Sequence, residues 1–133
     1  MADKVTFELV SPGRLLASEE VDMVVVPGEE GDFGVMPGHT PVLSTVRAGV
    51  VEIHNDGQVT KRLFVEGGFA EATAERCTVL AEEATPLDEI TAEAANDRLA
   101  KAQEAFNGAD DESRAAAEKE LRTAEVLAQA LGR

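Results

Sequence analysis

Apolar and polar positions follow one period up to Pro86 and another beyond it. In the first part they alternate: Val5, Phe7 and Leu9 mark every second position of residues 5–10, as in a half-buried strand. Further strand-like runs occupy 21–26, 49–54, 58–65, 68–72 and 77–81, the first three of them rich in valine or other β-branched residues. Turn residues part them: Ser11-Pro12-Gly13, Pro27-Gly28 and Asn55-Asp56-Gly57. The Asp-Gly pair between two β-branched runs predicts a tight hairpin, because such turns need positive φ. Many short strands at this spacing predict an all-β sandwich or barrel.

Beyond Pro86 the period becomes helical. Ala92, Ala95, Leu99, Ala102 and Phe106 fall on one stripe, and Ala117, Leu121, Ala124, Ala128 and Leu131 on a second, with Leu127 alongside. Thr91 is the expected N-cap of the first helix, and Asn107-Gly108 its stop, on the expectation of a left-handed glycine. Asp110 or Asp111 is expected to cap the second helix. The short connection predicts antiparallel neighbours. Their contact face is mostly alanine, which allows close approach and buries little area.

Composition sharpens the division. All five prolines and nine of the eleven glycines lie in 1–87, whereas the remaining residues carry 13 alanines and no proline. Two domains are therefore expected, a β-sandwich over 1–87 and an α-helical hairpin over 88–133. No apolar run approaches the roughly 20 residues of a membrane-spanning helix. The opening Met1-Ala2-Asp3-Lys4 predicts neither a secretory signal nor a transit peptide. A lone Cys77 excludes an internal disulfide and points to a reducing compartment. The net charge of −14 disfavours nucleic acid and anionic lipid, and favours a basic protein surface.

Candidate chemistry is thin. His39 lies in Met36-Pro37-Gly38-His39-Thr40-Pro41, and His54 beside the Asp56-Gly57 turn is expected to be exposed. There is no HExxH, no CxxC and no nucleophile elbow, so no catalytic or metal site is expected. Cys77 is expected to be a buried, inert thiol. Gly28-Glu29-Glu30-Gly31-Asp32-Phe33-Gly34 is glycine-rich but has three acids and no lysine, so it would repel phosphates. It reads as an acidic loop with an apolar tip at Phe33, suited to a basic partner, or as a solvated turn whose Phe33 tucks into the core.

The segment Gly31-Asp32-Phe33-Gly34-Val35-Met36-Pro37-Gly38-His39-Thr40-Pro41-Val42-Leu43-Ser44 resembles a signature of the epsilon subunits of bacterial F-type ATP synthases. Gly67-Gly68-Phe69-Ala70-Glu71, followed by Cys77-Thr78-Val79-Leu80-Ala81-Glu82, resembles its companion, and the alanine-rich hairpin follows in order. The resemblance covers essentially the whole chain. It implies an α+β chain with an N-terminal antiparallel β-sandwich of about ten strands and a C-terminal antiparallel two-helix hairpin. It also implies a non-catalytic part of the rotor central stalk, coupling proton flow through the membrane c-ring to ATP synthesis. The implied place is the cytoplasmic face of the bacterial inner membrane, peripheral, without lipid insertion. The implied partners are the gamma subunit and the c-ring, with the catalytic alpha and beta subunits an open contact of the helices. The family's c-ring loops typically present a basic residue. Glu29, Glu30, Asp32, Phe33, Met36 and His39 are the implied c-ring contacts, with Asp32 the main ion-pair partner and His39 holding the loop. Val42, Leu43, Gly68 and Phe69 are the implied gamma contacts.

Two departures from the family pattern matter. Members that bind ATP open the first helix with Ile/Leu-Asp-x-x-Arg-Ala, whereas here Thr91 and Ala94 stand at the aspartate and arginine positions. Shifting the frame to Leu87-Asp88 keeps the aspartate but puts Thr91 at the arginine. Arg98 and Lys101 remain nearby, beside Glu93 and Asp97, and no useful ATP binding is expected; no cofactor is implied. Inhibition of hydrolysis in the family needs a basic second helix. Here Arg114, Lys119 and Arg122 face Asp111, Glu112, Glu118, Glu120 and Glu125, so weak or absent inhibition is expected.

Overall fold

The computed structural model describes residues 4–132, which divide into two compact units that meet in sequence between Pro86 and Leu87. The first unit holds ten strands: β1 (Val5–Ser11), β2 (Arg14–Val21), β3 (Met23–Gly28), β4 (Gly31–Val35), β5 (Val42–Thr45), β6 (Gly49–Asn55), β7 (Gln58–Val65), β8 (Gly68–Ala72), β9 (Arg76–Ala81) and β10 (Ala84–Pro86). They form two five-stranded sheets, in the orders β2-β1-β9-β8-β5 and β10-β7-β6-β3-β4. The sandwich alternative is thus the one the chain adopts. It is not wholly antiparallel, for β1 runs parallel to β9, with Thr6 beside Arg76 and Leu9 beside Val79.

The core is the inner face of both sheets. Val5, Phe7, Leu9, Val24, Val26, Val51, Ile53, Val65 and Val79 are fully buried, at alternate positions in β1, β3 and β6, whereas β7 ends in three consecutive buried residues, Leu63-Phe64-Val65. Asp56 and Gly57 both take positive φ (55° and 75°), the geometry of the expected β6–β7 hairpin turn. Asp22 ties this turn to the bend between β2 and β3: its Oδ2 accepts the Asp56 N–H at 2.6 Å, and its Oδ1 meets Lys4 Nζ at 2.9 Å. Both contacts hold the Asp22 carboxyl below the usual range, the Lys4 bond more strongly. His54 departs from expectation. It is partly covered rather than exposed, and its Nε2 lies 3.2 Å from Glu52 Oε1, two residues back on the same face of β6.

The second unit opens with a single 3-10 turn, Leu87–Glu89, and continues as α1 (Ala92–Asn107) and α2 (Arg114–Leu131). The Thr91 hydroxyl accepts the Ala94 N–H at 3.0 Å and caps α1. Gly108 does end α1, but at φ −97° and not in the left-handed region. Its N–H still donates to the Glu104 carbonyl, so the glycine follows the helical path, and the break falls at Ala109-Asp110. Asp110 then opens the next turn reciprocally: its Oδ1 accepts the Ser113 N–H at 2.9 Å, while Ser113 Oγ accepts the Asp110 N–H at 3.2 Å. The N-cap of α2 is Ser113, which makes no side-chain cap hydrogen bond, so neither Asp110 nor Asp111 caps the helix itself; Asp110 closes the turn that leads into it. Ala95, Ala102, Ala124 and Leu127 are buried, as the stripes predict. Thr123 joins them, its hydroxyl donating back to the Lys119 carbonyl at 3.0 Å.

Candidate functional site

Two surfaces on the sandwich can grip another protein. The first is the outer face of the β2-β1-β9-β8-β5 sheet. Leu15 pairs with Val10, Val10 with Leu80, and Leu80 with Phe69, so four apolar side chains stand in one row across four strands. Direct cross-strand partners point to the same side. That side is outward here, because their chain neighbours Leu9, Val79, Ala70 and Ala81 fill the core. Leu15, Leu80 and Phe69 are 60%, 51% and 53% exposed, which is unusual for large apolar residues on so acidic a chain. Leu43, two residues before Phe69's partner Thr45, extends the patch onto β5 and is 70% exposed.

The expected gamma contacts therefore separate. Leu43 and Phe69 belong to this face, whereas Val42 pairs with Ala72 on the opposite side of the strand. Gly68 has a backbone reason to be glycine: at φ 120°, an added Cβ would stand 1.9 Å from the Leu80 carbonyl oxygen. Leu15, Val10 and Leu80 were missed in the sequence. Only the strand register brings them into one row.

The second surface is the β3–β4 hairpin. Gly28 pairs with Gly31, leaving Glu29-Glu30 as a two-residue turn at the tip, both exposed. Gly31 supplies the positive φ, and Gly28 lets the Gly31 oxygen and the Phe33 ring approach. The expected apolar tip is corrected here. Phe33 sits within β4 and packs against the core, because the strand pleat turns it inward beside Val26. Asp32 is also engaged: Arg47 Nη2 donates to its Oδ1.

Met36 and His39 stand at the far end of β4 from Glu29-Glu30, on the order of 15 Å along the strand. The expected c-ring set is thus strung along an edge and does not form a cluster. His39 links its parts. Its ring lies 6.4 Å from that of Phe33, and its Nδ1–H donates to the Thr40 carbonyl at 2.6 Å. Gly38 N–H donates to the Ala74 carbonyl at 2.8 Å and pins the turn to the β8–β9 connection. Met36 is 56% exposed and free for contact.

On the helical hairpin, Arg98 and Glu120 form a two-pronged pair, Nε to Oε2 at 2.8 Å and Nη2 to Oε1 at 2.9 Å. Arg98 and Glu120 also line an open groove of about 480 Å³ with Ala94, Asp97, Lys101 and Ala102. Arg114 lies over the Phe106 ring at 5.6 Å, joining the end of α1 to the start of α2. Among the described residues no group of three His, Cys, Asp or Glu is arranged to hold a metal ion, and no helix is long and apolar enough to cross a membrane.

The sandwich places the chain among the ATP synthase delta and epsilon chains: the model of their β-sandwich domain matches residues 4–87. Similarity extends through the helices. The ATP synthase epsilon chain of Paramagnetospirillum magneticum is 53% identical over 132 residues, covering 98% of this chain and 99% of that one. The epsilon chain of Rhodospirillum rubrum is also 53% identical, over 131 residues, with 98% and 96% covered. The chain belongs to the ATP synthase epsilon chain family, in its bacterial form. Among solved structures it is similar to a chain of the Euglena gracilis mitochondrial ATP synthase, described as OSCP/F1/c-ring in rotational state 1, at 25% identity and a TM-score of 0.88, covering 98% of this chain and 83% of that one. A chain of the Tetrahymena thermophila mitochondrial ATP synthase central stalk and c-ring shares the fold at 14% identity and a TM-score of 0.67, with 96% of each covered.

Proposed function

We propose that this chain is a non-catalytic coupling part of the ATP synthase rotor, held to the gamma subunit by its apolar sheet face and to the c-ring by its acidic hairpin. The observation that carries the reading is the in-register row Leu15, Val10, Leu80 and Phe69. Each exposed member stands to bury about half its surface, worth about 1 kcal/mol apiece. A patch of this kind fits a permanent partner better than solvent. The two solved relatives belong to assemblies described by their c-ring, and one by its central stalk.

The hairpin supplies orientation. Glu29 and Glu30 meet basic loops of the ring, and each rim ion pair contributes at most about 1 kcal/mol. Met36 adds apolar contact, and His39 holds Phe33 and the turn together. Val42 borders the gamma-binding face. The chain works peripherally at the cytoplasmic face of the bacterial inner membrane. Proton flow turns the ring, and the ring turns gamma with this chain.

Regulation is weak in this reading. Arg98 is held by Glu120, Arg122 lies 3.4 Å from Glu118, and Arg114 lies over Phe106. Asp111, Glu112, Glu118, Glu120 and Glu125 outnumber Arg114, Lys119 and Arg122 on and beside α2, so it offers no net positive charge to acidic loops of the alpha and beta subunits. No nucleotide site is assigned, since Thr91 caps the helix where ATP-binding relatives carry a ligand residue. The test is a pull-down of the purified chain with gamma, with ATP hydrolysis of the rebuilt soluble complex read in the same sample. Stoichiometric binding with little change in hydrolysis is expected. Strong inhibition would overturn the weak-brake reading, and absence of binding would overturn the coupling role.

A further inference from the structure

We infer that Arg47 is the positioning residue of the acidic docking turn, and that Asp32 is its internal counter-ion, not the group that meets the partner's cation. The inference rests on the proposed docking of Glu29-Glu30 against a basic protein surface.

Arg47 lies in the connection between β5 and β6, outside the hairpin it grips. Its backbone N–H donates to the Pro27 carbonyl at 3.0 Å, and its Nε to the Gly28 carbonyl at 3.2 Å. Nη2 donates to Asp32 Oδ1, and Nη1 reaches the Ala48 carbonyl at 3.4 Å. Pro27 pairs with Asp32 and Gly28 with Gly31, so these contacts fall on both strands of the two rungs beneath Glu29-Glu30. One side chain thus joins both legs of the turn to the β5–β6 connection. The turn has a further tether there, as the Glu29 N–H donates to the Thr45 carbonyl at 2.9 Å. The surroundings leave room for the guanidinium. At Gly49 an added Cβ would stand 3.2 Å from Arg47 Nη1 and 2.8 Å from Pro27 Cβ.

Charge and position make opposite forecasts for Arg47. If only the summed charge of the surface mattered, removing this cation would make the hairpin more acidic and tighten its hold on a basic partner. If Arg47 fixes where Glu29 and Glu30 point, removing it loosens the turn and weakens the hold. A partner-facing Asp32 would be lost independently of Arg47. An Asp32 that works through Arg47 would not.

The experiment uses membrane vesicles of the whole synthase, stripped of this chain and rebuilt with purified variants. Affinity for the stripped membranes is read at low and moderate salt, with ATP-driven proton uptake as the coupling readout. Arg47→Gln is expected to weaken binding about three- to fivefold, with the salt dependence retained. Asp32→Asn is expected to do the same, and the double variant to be no worse than the weaker-binding single. The melting temperature of each free variant should stay close to that of the parent, since the two side chains are 42% and 57% exposed and their ion pair is screened by solvent. Equal or tighter binding by Arg47→Gln overturns the proposal, and so does additivity of the two singles. The control is Glu29→Gln with Glu30→Gln. If it leaves affinity unchanged, the docking reading falls and takes the proposal with it. If it weakens binding while Arg47→Gln does not, only the proposal falls.

Discussion

Arg98 of α1 and Glu120 of α2 face each other squarely, joined by two parallel hydrogen bonds of 2.8 and 2.9 Å. The contact face around them is mostly alanine, so this fork supplies specificity that the apolar stripe lacks. The bond to Arg98 holds the Glu120 carboxyl below the ordinary range, against a smaller opposing effect of burial. A depressed carboxyl stabilises the fold above its unfolded value, and the contribution disappears as pH falls through the depressed folded value. Glu120 is 45% exposed, so Glu120→Gln should cost only about 0.5–1 kcal/mol at neutral pH. Thermal melts followed by helical circular dichroism should show this difference closing as the solution is acidified. Parallel curves at all pH values would show that the pair does not hold the hairpin.

Gly68→Ala should be among the most damaging single-methyl changes in the sandwich. The new Cβ would press on the Leu80 carbonyl at 1.9 Å, in a backbone conformation that alanine rarely adopts. A cost of about 3 kcal/mol is expected, as a fall in the urea midpoint at unchanged slope. A shift of a few tenths would mean that the strands separate easily there.

The strands legible in the sequence and those that were not differ in where they stand. Runs at 5–10, 21–26, 49–54, 58–65, 68–72 and 77–81 announced β1, β3, β6, β7, β8 and β9, the six interior strands, although the second run begins on Val21 of β2 and crosses the bend at Asp22. The missed ones, β2, β4, β5 and β10, are the four sheet edges. An edge strand is paired on one side only and need not be apolar. In β2 the sequence Arg14-Leu15-Leu16-Ala17-Ser18-Glu19-Glu20 buries nothing fully before Val21. In β4 glycine stands at two of five positions and mimics a loop. The helices were legible because Thr91 and the alanine stripes act locally. Of the candidate site, the exposure of Glu29 and Glu30 was legible in the acidic run, whereas Phe69 and Leu43 were named only through the family resemblance. The row through Leu15 and Leu80 and the grip of Arg47 depend on residues distant in sequence, which no local pattern reports.

Cys77 should resist modification in the folded chain. Burial pushes its thiol up to about 12, so almost no thiolate exists in mildly alkaline solution. Reaction with a disulfide reagent is expected to be slow without denaturant and immediate with it. The same shift carries a stability consequence: its contribution is intact below the ordinary thiol value of 9.0 and declines as pH rises towards 12. Rapid labelling under native conditions would show that β9 opens far more often than its burial implies.

Phe69→Glu should separate binding from folding. The ring is 53% exposed in the free chain, so the melting temperature should change little. Affinity for gamma should fall about thirtyfold or more, because a charge would enter one end of the apolar row, where Leu43 continues the patch. Leu15→Glu is expected to act in the same direction from the other end of the row. Full retention of binding by both variants would move the gamma interface elsewhere.

The parallel pairing of β1 with β9 sets the order in which the sandwich can be made. Thr6 leaves the ribosome early, but its partner Arg76 and the Glu8–Arg76 ion pair at 2.8 Å become available only when most of the domain has been synthesised. Until then β1 has only β2 beside it, and one edge of that hairpin stays open. The β6–β7 and β8–β9 hairpins, closed by short connections, can form on their own, whereas the first strand made must wait for the ninth. The nascent chain therefore passes through a stage with an apolar strand unsatisfied on one side, and completion of the sandwich is a late, cooperative event rather than a gradual accretion from the N-terminus.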